Sequence, residues 1–229
     1  MEMLSSPQFW SALGAIMLLN LVLSGDNAIV IAMAARNLPP VHQKKAILWG
    51  TLGAIIMRII MTLIVVWLLK IPGLKLLGGL ALIWIAIQLV NTGDDEGDHG
   101  KAGATFWDAM KTIIIADAVM GLDNVLAVAA AANGDLMLIF IGLILSIPIV
   151  VFGSTIVLKI MTRFPIVIWI GVALLGWTAG LMIWDENVIQ PFLSPFKAME
   201  YPFLLAVTLF TLGIAYMMYK KSLKAETAI

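Results

Sequence analysis

The chain alternates long apolar runs with short polar or proline-bearing stretches, and each run is about as long as a helix that crosses a membrane. A hydrocarbon core about 30 Å thick takes roughly 20 helical residues. On that measure the pattern predicts seven spans, near residues 9–34, 46–69, 74–91, 106–132, 136–158, 165–184 and 201–219. Pro39-Pro40, Pro191 and Pro195 stop helices between the runs, and Pro148 is expected to kink the fifth. The Gly176-x-x-x-Gly180 spacing predicts a close helix contact. The expected fold is therefore all-α and polytopic.

A shift of 97 positions lays Phe9, Trp10, Ile16, Val22, Asp26 and Asn27 on Phe106, Trp107, Ile113, Val119, Asp123 and Asn124 without a gap. With a slightly different offset the match continues, Pro72, Gly78 and Trp84 falling on Pro165, Gly171 and Trp177. Each repeat then holds three spans, and two contiguous three-span repeats must enter the membrane from opposite sides, the inverted arrangement common in secondary transporters. Chance alignment of apolar helices is the bland alternative, and it accounts poorly for matched Asp, Asn and Trp. The expected organisation is a first repeat over 1–92, an acidic linker over 93–104, a second inverted repeat over 105–185, and a seventh helix with a basic tail over 186–229.

Composition sharpens this picture. Of 229 residues 62% are apolar and only 12% charged, too few charges to solvate a water-facing exterior of this size, and the mean hydropathy is +1.02. A soluble enzyme is excluded and no enzymatic role is expected. Fourteen basic and fourteen acidic residues cancel, which leaves no field for nucleic acid. The placement of charge is more informative: Arg36, Lys44, Lys45, Lys101, Lys111, Lys159, Arg163, Lys220, Lys221 and Lys224 fall on one side, against Lys70, Lys75 and Lys197 on the other. That asymmetry favours an N-terminus outside and a cytoplasmic C-terminus in a cytoplasmic (inner) membrane. The opening stretch lacks a basic n-region and a small-residue cleavage site, so its apolar run is expected to be retained.

Asp26-Asn27 and Asp123-Asn124 both lie deep inside predicted spans, where a carboxylate costs several kcal/mol unless paired, hydrated or bound to a cation. Asn20 corresponds to Asp117 under the same shift, so the repeats differ in charge. Residues seven apart share a helix face, so Asn20 with Asn27, and Asp117 with Asn124, form polar stripes, with Asp26 and Asp123 about 100° away. Gly25 and Gly121 stand beside these residues and would permit a local helix break, turning the carboxylates inward and freeing backbone carbonyls into an all-oxygen cage. The competing reading makes the asparagines helix glue and the aspartates partners of a basic residue. Arg58 is the one basic residue deep in a span, and an inward aspartate is its expected partner, in a structural salt bridge or a gate.

With Asp26, Asp117 and Asp123 ionised and Arg58 charged, the internal charge is about minus two, which one divalent cation, or protonation, would neutralise. The chain has no cysteine, and its two histidines, His42 and His99, lie in polar connections, so the oxygen donors favour hard ions such as Mg, Ca or Mn over Zn or Cu. Mn is the one among these that a cell most needs to export. Fourteen methionines, among them Met33, Met57 and Met120, could add softness, though in apolar spans methionine more often serves packing. Exporting a dication against a negative interior costs about 2.3 kcal/mol per charge per 100 mV, and no phosphate-cradling loop is present, so proton or sodium counter-flow is the economical drive. The loop Asp94-Asp95-Glu96-Gly97-Asp98-His99 could collect cations but reads as a solvated linker, since it lacks the ligand spacing of a calcium loop.

The runs Asn20-Leu-Val-Leu-Ser-Gly-Asp26-Asn27-Ala-Ile-Val-Ile-Ala and Ala116-Asp117-Ala-Val-Met-Gly-Leu-Asp123-Asn124-Val-Leu-Ala-Val-Ala resemble the signatures of the TerC family of membrane proteins, within it the YjbE-type metal transporters. The resemblance covers nearly the whole chain, through Arg36-Asn-Leu-Pro39, Arg58, Gly78-Gly79 and Ser146-Ile-Pro148. It implies a seven-span fold related to the LysE exporter superfamily, Mn(II) efflux or metal supply to secreted proteins, and a metal site at Asp26, Asn27, Asp117, Asp123 and Asn124. Gln88 departs from the family pattern, which often has a lysine near that point in the third span. The expected function is thus export of a divalent metal, Mn2+ first, with the bilayer and the metal as partners and a homo-oligomer left open. Two rivals are an exporter of small organic solutes such as amino acids, and a membrane partner that helps secreted proteins insert or acquire metal.

Overall fold

The computed structural model describes residues 10–11, 13–14, 16–18, 25–68, 71–91, 105–131 and 135–226. Asn20 and the acidic loop 94–99 lie outside the described residues. Helical residues between Trp10 and Leu18 are followed by α1 (Gly25–Ala35), α2 (Pro40–Leu68), α3 (Leu74–Asn91), α4 (Phe106–Ala131), α5 (Leu136–Arg163), α6 (Ile166–Trp184), a short helical corner over 190–199, and α7 (Glu200–Glu226). No strand occurs among the described residues. Among the described residues four stretches are long and apolar enough to cross a membrane, falling in α2, α5, α6 and the corner with α7, while α1 and α3 are apolar but shorter. α4 carries Asp108, Lys111, Asp117 and Asp123 along its 26 residues.

Local chemistry explains the ends. Pro40 opens α2, where a missing N–H costs nothing, and Gln43 Nε2 donates to the Arg36 carbonyl at 2.9 Å to close the preceding turn. At α4, Thr105 and Asp108 cap each other: the Asp108 N–H donates to Thr105 Oγ1 and the Thr105 N–H to Asp108 Oδ2. Asp135 caps α5 by accepting from the N–H groups of Met137 and Leu138. Pro148 lies inside α5, which continues to Arg163, beyond the expected end at 158. α2 and α7 likewise outrun the apolar runs, because helices continue into polar flanks that hydropathy does not register.

The helices pack in definite pairs: α2 against α4, α1 against α5, α3 against α6, and α7 along α6 and α3. Glycines set the closest approaches. A Cβ on Gly79 would lie 2.8 Å from the Ala179 carbonyl oxygen, and one on Gly50 would lie 2.7 Å from Ile113 Cδ1. Gly176 and Gly180 do meet a neighbouring helix, α7, at Thr208 and Leu204. Large apolar side chains such as Ile56, Ile60, Phe152, Ile156, Leu209 and Phe210 point outward, while Asn27, Thr51, Arg58, Asp117 and Ser146 are buried. Apolar outside and polar inside is the arrangement lipid demands.

At the other end of the bundle, the loop after α6 grips the start of α3. The carboxylate of Glu186, 1% exposed, accepts from the N–H groups of Gly73, Lys75, Leu76 and Val188 at 2.9–3.3 Å. Gly73 makes this turn with φ +83, a value open to glycine. Burial works to raise the Glu186 pKa, but the N–H donors of Gly73, Leu76, Val188 and Lys75 outweigh it and hold the group below the usual glutamate range. Its contribution to stability is therefore complete above the ordinary glutamate pKa and lost as pH falls through the lowered folded value. Glu186→Gln is expected to lower stability by about 1–3 kcal/mol at neutral pH. In detergent melting curves the gap between wild type and variant should close as the pH falls into that window; a pH-independent gap contradicts the assignment.

Candidate functional site

α2 and α4 come close because Gly50 and Gly53 present no side chain to Ile113 and Ile114. That approach lets Arg58, deep in α2, reach Asp117, deep in α4: Arg58 Nη2 donates to Asp117 Oδ1 at 2.5 Å. Both side chains are more than nine-tenths buried. Helical side chains lean toward the N-terminus, so Arg58 turns back along α2 toward the level of Gly53 and Ala54. The guanidinium lies over Gly121 of α4, where a Cβ would stand 3.7 Å from Arg58 Nε.

Beside this pair is a small cavity of about 10 Å³, room for about one water molecule. Its polar lining is Asn27 from α1, Thr51 and Arg58 from α2, Asp117 from α4 and Ser146 from α5. Thr51 Oγ1, Arg58 Nε and Asp117 Oδ2 are buried with no hydrogen-bond partner among the described residues. Four helices therefore converge on a point with polar capacity to spare.

Of the residues expected in the site, Asn27, Arg58 and Asp117 are brought together. Asp26 sits half-buried in the first turn of α1, within electrostatic reach of Arg58 and Asp117, and its Oδ1 accepts from the Asn27 N–H at 2.8 Å. Asn124 is half-buried and does not line the cavity. The side chain of Asp123 and the whole of Asn20 lie outside the described residues. No cluster of three or more His, Cys, Asp or Glu suited to a metal occurs among the described residues.

The break expected at Gly121 is corrected: α4 runs through it as a helix, and Gly121 packs at ordinary contact distance beside the Arg58 side chain. Gly25 begins α1, and residues 19–24 before it lie outside the described residues. Thr51 and Ser146 were not expected in the site. A signal existed, because Thr51 stands two turns before Arg58 on one face of α2, but a single hydroxyl in an apolar helix is usually satisfied by its own backbone.

Residues 5–224 match the integral membrane protein TerC family. The chain belongs to the TerC family. It is 40% identical to the uncharacterized membrane protein YjbE of Bacillus subtilis (strain 168) over 182 residues, covering 80% of this chain and 83% of that protein. It is 29% identical to the uncharacterized membrane protein YceF of the same organism over 173 residues, 72% of this chain and 67% of YceF. A similar 29% identity to the inner membrane protein YoaE of Escherichia coli (strain K12) covers 73% of this chain but 36% of YoaE. No solved structure matches the chain. As a TerC protein with apolar helices of spanning length, the chain is an integral membrane protein.

Removing one partner of a buried ion pair strands the other charge. Arg58→Met alone and Asp117→Leu alone are each expected to cost about 3–5 kcal/mol. The double variant Arg58→Met, Asp117→Leu should recover most of that loss, so a double-mutant cycle on stability in detergent gives a large coupling. Additive losses contradict the pairing.

Proposed function

We propose that this TerC protein is a secondary transporter that exports a divalent metal, Mn2+ before others, across the cytoplasmic membrane by alternating access with proton counter-flow. The observation that carries this reading is the buried Arg58–Asp117 pair beside a polar cavity reached by Asn27, within helices whose outward faces are apolar. A charge pair this deep costs more in desolvation than apolar packing would, so its retention argues for use rather than for stability. In this reading Arg58 is the resident counter-charge, and an arriving cation competes with it for Asp117. Asp26, Asp117 and Asp123 serve as ligands and proton acceptors, and Asn20, Asn27 and Asn124 as neutral ligands.

The helix pairing supports an organisation of seven spans in two inverted repeats. An exchange of repeats turns the α2–α4 contact into the contact between α5 and the first span, returns α3–α6 to itself, and leaves α7 as an addition. The basic residues at the α1, α5 and α7 ends favour a cytoplasmic face there. One observation favours the organic-solute reading: a cavity of about 320 Å³ lined by Arg36, Asn37, Thr162, Trp169 and Tyr219 at those same helix ends. It shares no lining residue with the cavity at Arg58 and Asp117, whose size admits an ion and excludes an amino acid.

The test is purified protein in liposomes loaded with a Mn2+-sensitive dye. Wild type should move Mn2+, faster under an opposed proton gradient, and Asp26→Asn or Asp117→Asn should slow it at least about tenfold, the scale on which metal sites respond to a lost partner. Equal rates in wild type and protein-free vesicles refute export of Mn2+. Rates indifferent to the proton gradient refute the coupling alone.

A further inference from the structure

Six helical hydroxyls among the described residues follow one habit. Thr62, Ser146, Ser154, Thr155, Thr208 and Thr211 each donate to a backbone carbonyl three or four residues earlier, at 2.6–2.8 Å. In an apolar surrounding this is the cheapest way to satisfy an O–H group. Thr51 departs from it. Its residue is 2% exposed, and its Oγ1 has no partner among the described residues. Leaving such a group unsatisfied is costly, and a helical hydroxyl ordinarily avoids that cost by bonding a carbonyl one turn earlier.

Thr51 lines the cavity that also holds Asn27, Asp117 and Ser146, and Asp117 Oδ2 likewise lacks a partner among the described residues. The four side chains bring one carboxylate, one amide and two hydroxyls, oxygen donors all, from four different helices. Thr51 on α2 and Ser146 on α5 thus bring two hydroxyls to one cavity. Ser146 has spent its proton on the Leu143 carbonyl, which leaves its oxygen lone pairs to accept or to ligate.

We infer that Thr51 is a neutral ligand of the cation this protein carries, and that its hydroxyl contributes to the protein's affinity for that ion. This rests on the metal-export reading above. With Arg58 on Asp117 Oδ1, Oδ2 keeps its capacity to ligate, and Thr51 gives the ion a second oxygen from the same cavity lining without adding charge. A hydroxyl and an amide replace shed water molecules while leaving the charge balance to Asp117, the arrangement hard cations require.

The experiment measures Mn2+ binding to the purified full chain in detergent by isothermal titration, for wild type, Thr51→Val and Thr51→Ser, with melting temperatures in the absence of metal. Valine keeps the shape and deletes the hydroxyl; serine keeps the hydroxyl. The expected result is an affinity weakened about tenfold in Thr51→Val and within about twofold of wild type in Thr51→Ser, with the metal-free melting temperature of Thr51→Val equal to or above that of wild type. Equal Mn2+ affinity in wild type and Thr51→Val overturns the role of Thr51 and leaves the export reading standing. A lower metal-free melting temperature in Thr51→Val shows a structural hydroxyl and also overturns it. Absence of Mn2+ binding by wild type overturns both.

Discussion

A positive and a negative charge meet in the middle of a helical bundle whose exterior is apolar, and the rest of the structure is arranged to make that tolerable. Arg58 and Asp117 stand more than nine-tenths buried on α2 and α4. Either charge alone would be untenable at that depth, and together they still cost more than the leucines that could replace them. The requirement that each finds the other dictates how near α2 must come to α4. Gly50 and Gly53 meet that requirement by offering backbone where a side chain would hold the helices apart. Ile113 and Ile114 then fill the interface around the pair.

The same constraint separates the ends of the molecule from its middle. At the ends, polar groups are satisfied by capping: Thr105 with Asp108, Asp135 with the start of α5, and Glu186 with the start of α3. Glu186 is as buried as any core leucine, yet four N–H donors leave its charge comfortable, and it joins two segments more than a hundred residues apart in sequence. In the middle, satisfaction is incomplete. Thr51, Arg58 and Asp117 each keep an atom without a partner among the described residues, and the three residues line one cavity. Among the described residues, these capped ends complete their hydrogen bonds while this interior point keeps polar groups without a partner.

Much of this was legible in the chain itself. Length and apolarity of the runs anticipated the bounds of α3, α4 and α6 to within a residue or so, because a helix that crosses lipid must satisfy its own backbone over a set length. The in-span charges announced themselves by their cost, and Arg58 was expected to seek an inward aspartate. The helix break at Gly121 was a misjudgement with a clear cause. Glycine in a helix serves either to bend the backbone or to admit a neighbour, and sequence cannot distinguish the two. The long polar extensions of α2 and α7 were missed because helix propensity continues where hydropathy stops.

The chain alone determined that its helices are apolar, that an Asp-Asn pair recurs after 97 positions, and that Arg58 required a counter-charge. Only the tertiary structure decided that the counter-charge is Asp117 rather than Asp26, and that Thr51 and Ser146 face the same point. The reason is one of range. Helical periodicity orders residues within a few turns, whereas Arg58 and Asp117 are 59 positions apart and meet through the register between two helices. That register is set by how side chains of both helices interlock, a property of neither helix by itself.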